Sequence, residues 1–254
     1  MNTGQTPELI VDGPVATITL RRPAQANRLE VEDLHRLLDH FARVNASPEI
    51  LVLRLAATGR SFCSGFNIGS VGAEGVDAGA LFAAVADGIE ALRPVTIAAI
   101  QGGVYGGATD LALACDFRIG TPACEMFVPA AKLGLLFYLS GQERYVSRLG
   151  LGVAKRVLLQ ADKFNAQQML DCGFLDQMVA PDVLEAHVEA LTATLAGMAP
   201  LALLDMKKHL NRIARGTVDA AEFAQDVAKA GASDDLREGQ LAWQQRRTPR
   251  FCGR

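Results

Sequence analysis

The stretch that most constrains this chain runs from Val95 to Asp116, VTIAAIQGGVYGGATDLALACD. Val95–Ile100 is an unbroken apolar run, the pattern of a strand buried on both faces. Gly102, Gly103, Gly106 and Gly107 then put four glycines into six residues. Glycine lets backbone approach another group closely and reach positive φ without steric cost. Alanine and leucine at helical spacing over Ala108–Cys115 predict a helix starting near Gly106 or Gly107. A glycine-rich turn feeding a helix start leaves N–H groups unpaired, a ready site for negative charge. Asp110 falls in the first turn, where the helix dipole favours a carboxylate. The stretch is not a P-loop, because no Gly-Lys-Ser/Thr follows. It is not a dinucleotide fingerprint either, because no acidic-ended strand follows about twenty residues on.

A second stretch shares the design. Gly59–Ile68, GRSFCSGFNI, follows a strand predicted over Ile50–Leu55 and holds a small-Gly-X turn at Ser64-Gly65-Phe66. Together, SFCSGFNI and PVTIAAIQGGVYGGATDLALACD resemble the two signature segments of the crotonase (enoyl-CoA hydratase/isomerase) superfamily. Arg22-Pro23 with Asn27 is similar to its early RPxxxN motif. Phe127-Val128-Pro129 to Leu133-Gly134, then Gly141 to Arg144, resembles its PE…LG…GG..R segment. Glu238-Gly239, Ala242-Trp243 and Arg247-Thr248-Pro249-Arg250-Phe251 resemble its C-terminal EG..AF..KR.P.F. The matches run from Arg21 to the C-terminus in the family's order.

The remaining features agree with an acyl-CoA enzyme and narrow little else. A net charge of −3 gives no reason to propose a nucleic-acid partner. The five cysteines show no CxxC or Cys/His ligand spacing, so reduced thiols and a cytoplasmic location are expected. Cys63 and Cys115 read as small buried residues. Met1–Pro7 lacks the basic and apolar regions of a signal peptide, and no apolar run reaches membrane-spanning length. His35, His40, His187 and His209 lie on predicted helices without ligand spacing, so no metal site is expected.

Along the chain, Leu9–Val11 and Val15–Leu20 predict a hairpin around Asp12-Gly13-Pro14. Glu30–Val44 is an amphipathic helix through Val31, Leu34, Leu38 and Phe41. Asn67–Gly79 is glycine-rich and is expected to form a mobile loop beside the site. A helix is predicted over Leu81–Leu92 and a strand over Asp116–Ile119. Alternating strands and helices to about residue 180 imply a mostly parallel sheet. Beyond Pro181 an apolar stripe from Val183 to Met198 predicts a helix, followed by helices over Leu201–Arg215, Val218–Lys229 and Asp234–Arg247. From the residues alone the fold class is α/β followed by all-α. The resemblance implies a crotonase-like spiral of ββα repeats over residues 1–195. It also implies a C-terminal helical subdomain, 196–254, that builds a homotrimer or a hexamer made of two trimers.

The resemblance also implies the chemistry. Two backbone N–H groups hold a thioester carbonyl oxygen as it becomes an enolate; by motif these are Phe66 and Gly107. Phe66 stands where Ala is commoner and resembles the aryl-CoA dehalogenase branch, but a ring there also walls off solvent. Hydratases of the family use two glutamates. Asp110 stands at the first position and Ala130 at the second, so one of the two groups that split water is missing. Asp110 also has the plain reading of a helix-cap carboxylate. Tyr138 stands where the dehalogenase and dienoyl-CoA isomerase branches carry a catalytic aspartate; as a base it starts from a pKa near 10. The bland alternative is an aromatic core residue. Glu143, at a family glutamine position, reads as a solvated helix residue, and Tyr105 shapes the acyl pocket. Coenzyme A enters as part of the thioester substrate rather than as a resident cofactor. The positions implied to contact it are Arg28, Ser64, Phe66, Ile68 and Gly107, with Lys207, Lys208, Trp243 and Arg247 from the helical tail, across a subunit boundary or as solvated charges. The expected function is isomerase- or decarboxylase-like processing of acyl-CoA; the methylmalonyl-CoA decarboxylase branch also lacks the second glutamate and carries a V-aromatic-GGA pattern. The alternatives are an acyl-CoA-binding protein of reduced activity, or a hydratase with a relocated second acid/base group.

Overall fold

The structure is a computed structural model that describes residues 4–67 and 77–254. The expected loop over Asn67–Gly79 falls largely on 68–76, outside the described residues. The chain opens with a hairpin, β1 (Gln5–Asp12) and β2 (Val15–Arg21), turned by Gly13-Pro14 with Gly13 at φ 53°. β1 is longer than its apolar pattern suggests, because backbone pairing continues past a bulge between Gln5 and Glu8. On β2, Ala16, Ile18 and Leu20 alternate into the core. Helix α1 (Val31–Asn45) starts on a capping box between Glu30 and Asp33 and buries Leu34, Leu37, Phe41 and Val44.

Then follow β3 (Val52–Ala57), α2 (Ala78–Glu90), β4 (Val95–Ile100), β5 (Val104–Tyr105), α3 (Gly107–Ala114), β6 (Phe117–Gly120), β7 (Glu125–Phe127) and α4 (Leu139–Lys155, interrupted at Gly150). β8 (Phe164–Asn165), α5 (Ala166–Asp171), β9 (Gln177–Met178), α6 (Leu184–Ala196), α7 (Pro200–Ala214), α8 (Ala220–Gly231) and α9 (Asp234–Gln245) complete the chain. The larger sheet has the order β1-β2-β3-β4-β6-β9 and is parallel from β2 onward. The smaller has the order β5-β7-β8. This is the α/β crotonase fold, with two sheets and C-terminal helices.

The larger sheet is covered on both faces. Ala98 and Ile100 of β4 join the main core with Leu34, Leu37 and Leu111. Val95, Ile97 and Ala99 face the other way, onto Leu184, Val188 and Leu195 of α6. Every residue of β4 is therefore buried, which is why its sequence is apolar but for Thr96 rather than alternating, and the Thr96 hydroxyl donates to Asp116 Oδ2 at 2.8 Å. Polar struts hold α7 on this body. Lys207 Nζ lies 2.8 Å from Asp116 Oδ2 and donates to the Pro94 carbonyl, and Asn211 and Arg215 reach Glu90 at the end of α2. Along α7, α8 and α9, Leu210, Ile213, Phe223, Val227 and Trp243 remain exposed.

Candidate active site

The two glycine turns meet. Segment Ser61–Asn67 is stitched between residues 26–29 and 103–105. Leu29 N donates to the Gly65 carbonyl at 2.8 Å and Asn67 N to the Leu29 carbonyl at 3.0 Å; Tyr105 N donates to the Cys63 carbonyl at 2.9 Å. Asn27, buried, anchors this arrangement: its Nδ2 donates to the Thr58 and Ser61 carbonyls, and its Oδ1 accepts from Arg22 N. Gly65 has φ 91°, and a Cβ there would lie 2.8 Å from the Tyr105 carbonyl oxygen and 3.3 Å from Gly107 N. The Ser64-Gly65-Phe66 turn is thus pressed against Gly106-Gly107. Gly106 itself holds φ 55°, ψ −133°, a region open only to glycine. Among the described residues the amides of Phe66 and Gly107 donate to no backbone acceptor. Gly107 is the first residue of α3, where an unpaired N–H is inherent to the helix. Both residues line one cavity.

That cavity is about 310 Å³ and its inner wall is aromatic. The Phe82 ring lies 6.3 Å from the rings of both Phe66 and Tyr138, and Phe137 stacks on Tyr138 at 4.7 Å. Gly141 makes this wall possible: a Cβ there would fall 2.5 Å from Phe137 and 2.8 Å from Tyr138. Ala130, after Pro129, lines the same cavity and presents only a methyl group. Among the described residues no Asp, Glu, Lys, Arg or His side chain lines it.

Asp110 lies behind this wall. It is fully buried, and its Oδ2 accepts from the Tyr138 hydroxyl and from Arg144 Nη1, each at 2.5 Å. Its Oδ1 has no hydrogen-bond partner among the described residues. No α3 amide is capped by it, so the carboxylate serves Tyr138 and Arg144 rather than the helix end. Arg144, also fully buried, pairs further with Asp87 at 2.6 Å and Glu90 at 3.3 Å. Burial raises the Asp110 carboxyl above its ordinary range, while Arg144 and the Tyr138 hydrogen bond pull it back. Burial and the Asp110 charge push the Tyr138 phenol far above its ordinary value, which keeps it protonated. Burial alone would lower Arg144, but Asp110 and Glu90 hold it above its ordinary value and fully charged. Removing one partner of such a pair strands the other charge, at a typical cost of about 3–5 kcal/mol.

The structure therefore brings Ser64, Phe66, Gly107 and Tyr138 to one cavity, with Asp110 one hydrogen bond away. Arg28 pairs with Glu30 beside the turn and does not line the cavity. Ile68 lies outside the described residues. Lys207 is buried in its pair with Asp116, and burial lowers its pKa. Trp243 is exposed on α9, and Arg247 pairs with Glu238 at 2.5 Å. Neither these two nor Lys207 reaches the cavity within this chain. Lys208 pairs with Asp226 and Glu222, Glu143 pairs with Arg215 at 2.9 Å, and Tyr105 lines the cavity while donating to Glu125 at 2.5 Å. Arg144 and Phe82 are the residues that sequence reasoning passed over. The signal for Arg144 was present: a basic residue on the buried face of α4 needs an acid, and Asp110 is the lone acid in an otherwise apolar α3.

A two-sheet α/β body, two glycine turns that meet beside an apolar cavity, and a helical tail define the crotonase class of acyl-CoA enzymes. Residues 11–254 match the family model described as Enoyl-CoA hydratase/isomerase, and the chain belongs to that family. It is 28% identical to the crotonyl-CoA hydratase of Syntrophomonas wolfei, over 94% of this chain and 95% of that one. It is 30% identical to the carnitinyl-CoA dehydratase of Proteus mirabilis, over 98% and 99%. Among solved structures, an enoyl-CoA hydratase/carnithine racemase from Magnetospirillum magneticum superposes with a TM-score of 0.91 at 25% identity, covering 100% of this chain and 98% of that one.

Proposed function

We propose that this enzyme shifts a proton next to the carbonyl of an acyl-CoA thioester, as an enoyl-CoA isomerase, through an enolate held by the amides of Phe66 and Gly107. The observation that carries the reading is the Tyr138–Asp110 hydrogen bond at the wall of a cavity without any charged side chain among the described residues. A tyrosine alone is a poor base, because its pKa leaves it protonated. Here the phenol need not ionise. As the substrate α-proton passes to the Tyr138 oxygen, the Tyr138 proton passes to Asp110. The electron pair of the C–H bond moves into the enolate, and the two amides take the charge on its oxygen. Return of the proton by the same path to the γ-carbon completes the shift. Burial raises the carboxyl, which suits it to receive the proton. Decarboxylation of a malonyl-type thioester is the weaker reading, since among the described residues no cation lines the cavity to receive the carboxylate.

Deuterium wash-in at the α-carbon of acyl-CoA thioesters in D₂O, read by mass spectrometry, tests this. Binding without wash-in would instead mark an acyl-CoA-binding protein of reduced activity. Hydration of crotonyl-CoA is expected to be weak, because syn addition of water needs a second group and Ala130 has no proton to give. Absence of one such group forfeits about 10²–10⁴-fold. Ala130→Glu is expected to raise hydration; wild-type hydration at typical family rates would overturn the assignment.

For the CoA handle this reading keeps Arg28, Ser64 and Ile68, which adjoin the Phe66 turn in sequence or space. Lys207 is better occupied as a strut to Asp116, and Trp243 and Arg247 would serve only from a neighbouring subunit. Assembly into trimers through the tail rests on the exposed apolar residues of α7–α9. Light scattering that reports a monomer at micromolar concentration would remove that part.

A further inference from the structure

The rim of the cavity is as informative as its floor. The segment Leu133–Leu139 carries four leucines around Phe137 and Tyr138. Leu133, Leu135 and Leu136 line the cavity, yet they are 48%, 39% and 92% exposed, and Leu139 beside them is 73% exposed. This apolar rim continues the aromatic wall of Phe82, Phe127 and Phe137 without a charged side chain between them among the described residues. A four-carbon acyl group amounts to about five water-sized groups at roughly 30 Å³ each. It would fill no more than about half of the 310 Å³ cavity and would leave the leucines in water. An apolar chain that starts at the Phe66 and Gly107 amides and outgrows the aromatic pocket meets those leucines next.

We propose that the acyl group taken by this site is a long, uncharged aliphatic chain whose distal methylenes lie on Leu133, Leu135 and Leu136. The proposal rests on the acyl-CoA reading of the cavity and specifies its substrate class. Each methylene fully removed from water strengthens binding by about fourfold, the equivalent of about 0.8 kcal/mol. A charged end such as a second carboxylate has no partner on this path among the described residues and is disfavoured.

The test is calorimetric titration of the whole protein with butyryl-, octanoyl- and glutaryl-CoA, with α-exchange in D₂O measured in parallel. Octanoyl-CoA is expected to bind at least about tenfold more tightly than butyryl-CoA, less than the full fourfold per methylene because the rim is open. Glutaryl-CoA is expected to bind more weakly than butyryl-CoA. Leu136→Ser, at a side chain too exposed to support the core, is expected to shrink the octanoyl-to-butyryl ratio several-fold. Equal or weaker binding of octanoyl-CoA, or a ratio unmoved by Leu136→Ser, would overturn the proposal. Exchange that fails with every thioester while the binding ratio holds would sink the enolate reading and leave the chain-length assignment standing.

Discussion

Asp110→Asn is expected to lower α-deuterium exchange on bound acyl-CoA by about 10²–10⁴-fold and to leave CoA thioester binding in place. Asparagine nearly preserves the shape of aspartate, and its carbonyl can still accept from the Tyr138 hydroxyl. It cannot take the Tyr138 proton. Tyr138 then has either to lose its proton beforehand, as a free tyrosinate, or to become a cationic phenol on receiving the α-proton, and burial already makes ionisation of Tyr138 costly. Because Asp110 does not line the cavity, substrate affinity is expected to hold while exchange falls. A thermal melt belongs beside the kinetics, since the same change removes one of the carboxylates facing Arg144. The pH dependence has a definite sign. The proposed relay needs Asp110 ionised, so exchange is expected above its pKa and is expected to be lost as the pH falls through it. Burial moves that pKa upward, so the loss sets in at higher pH than for an ordinary carboxylate. Exchange within about threefold of wild type in Asp110→Asn, far short of the loss of a general base, would show that another group takes the proton.

Gly65→Ala is expected to cost about 10²–10³-fold in exchange, the usual loss for one oxyanion donor. The added Cβ would stand 2.8 Å from the Tyr105 carbonyl and 3.3 Å from Gly107 N, between the two turns, on a backbone at φ 91°. Relief requires the turns to part, which would draw the Phe66 and Gly107 amides off the oxygen they are proposed to share. Backbone strain alone would produce a different pattern. Gly173 has φ 78°, and a Cβ added there would meet nothing within 4 Å, so Gly173→Ala carries the strain without the intrusion. A melting loss in both variants, larger in Gly65→Ala, with exchange lost only in Gly65→Ala, is the expected outcome. Full exchange in Gly65→Ala would separate the two turns from the chemistry.

Sequence by itself determined what depends on local pattern. A strand buried on both faces reads as a nearly continuous apolar run, so Val95–Ile100 was legible as the centre of a sheet before its neighbours were known. The paired glycine turns were legible because few residues other than glycine allow such close approach, as the contact of Gly65 with Gly107 shows. The ordered motifs pointed to the family, and helices α6 to α9 followed from their apolar stripes. Burial of charge was not legible. Asp110 reads equally as a helix-end carboxylate, Arg144 only as the last residue of a motif, and Lys207 as a surface lysine offered to a phosphate. Tertiary structure decided otherwise for each. It set Tyr138 and Arg144, 28 and 34 residues along the chain, on one oxygen of Asp110, and closed Lys207 onto Asp116. The reason is physical: an ion pair is a relation between two distant points of the chain, and its protonation and reach depend on the solvent that packing removes from around it.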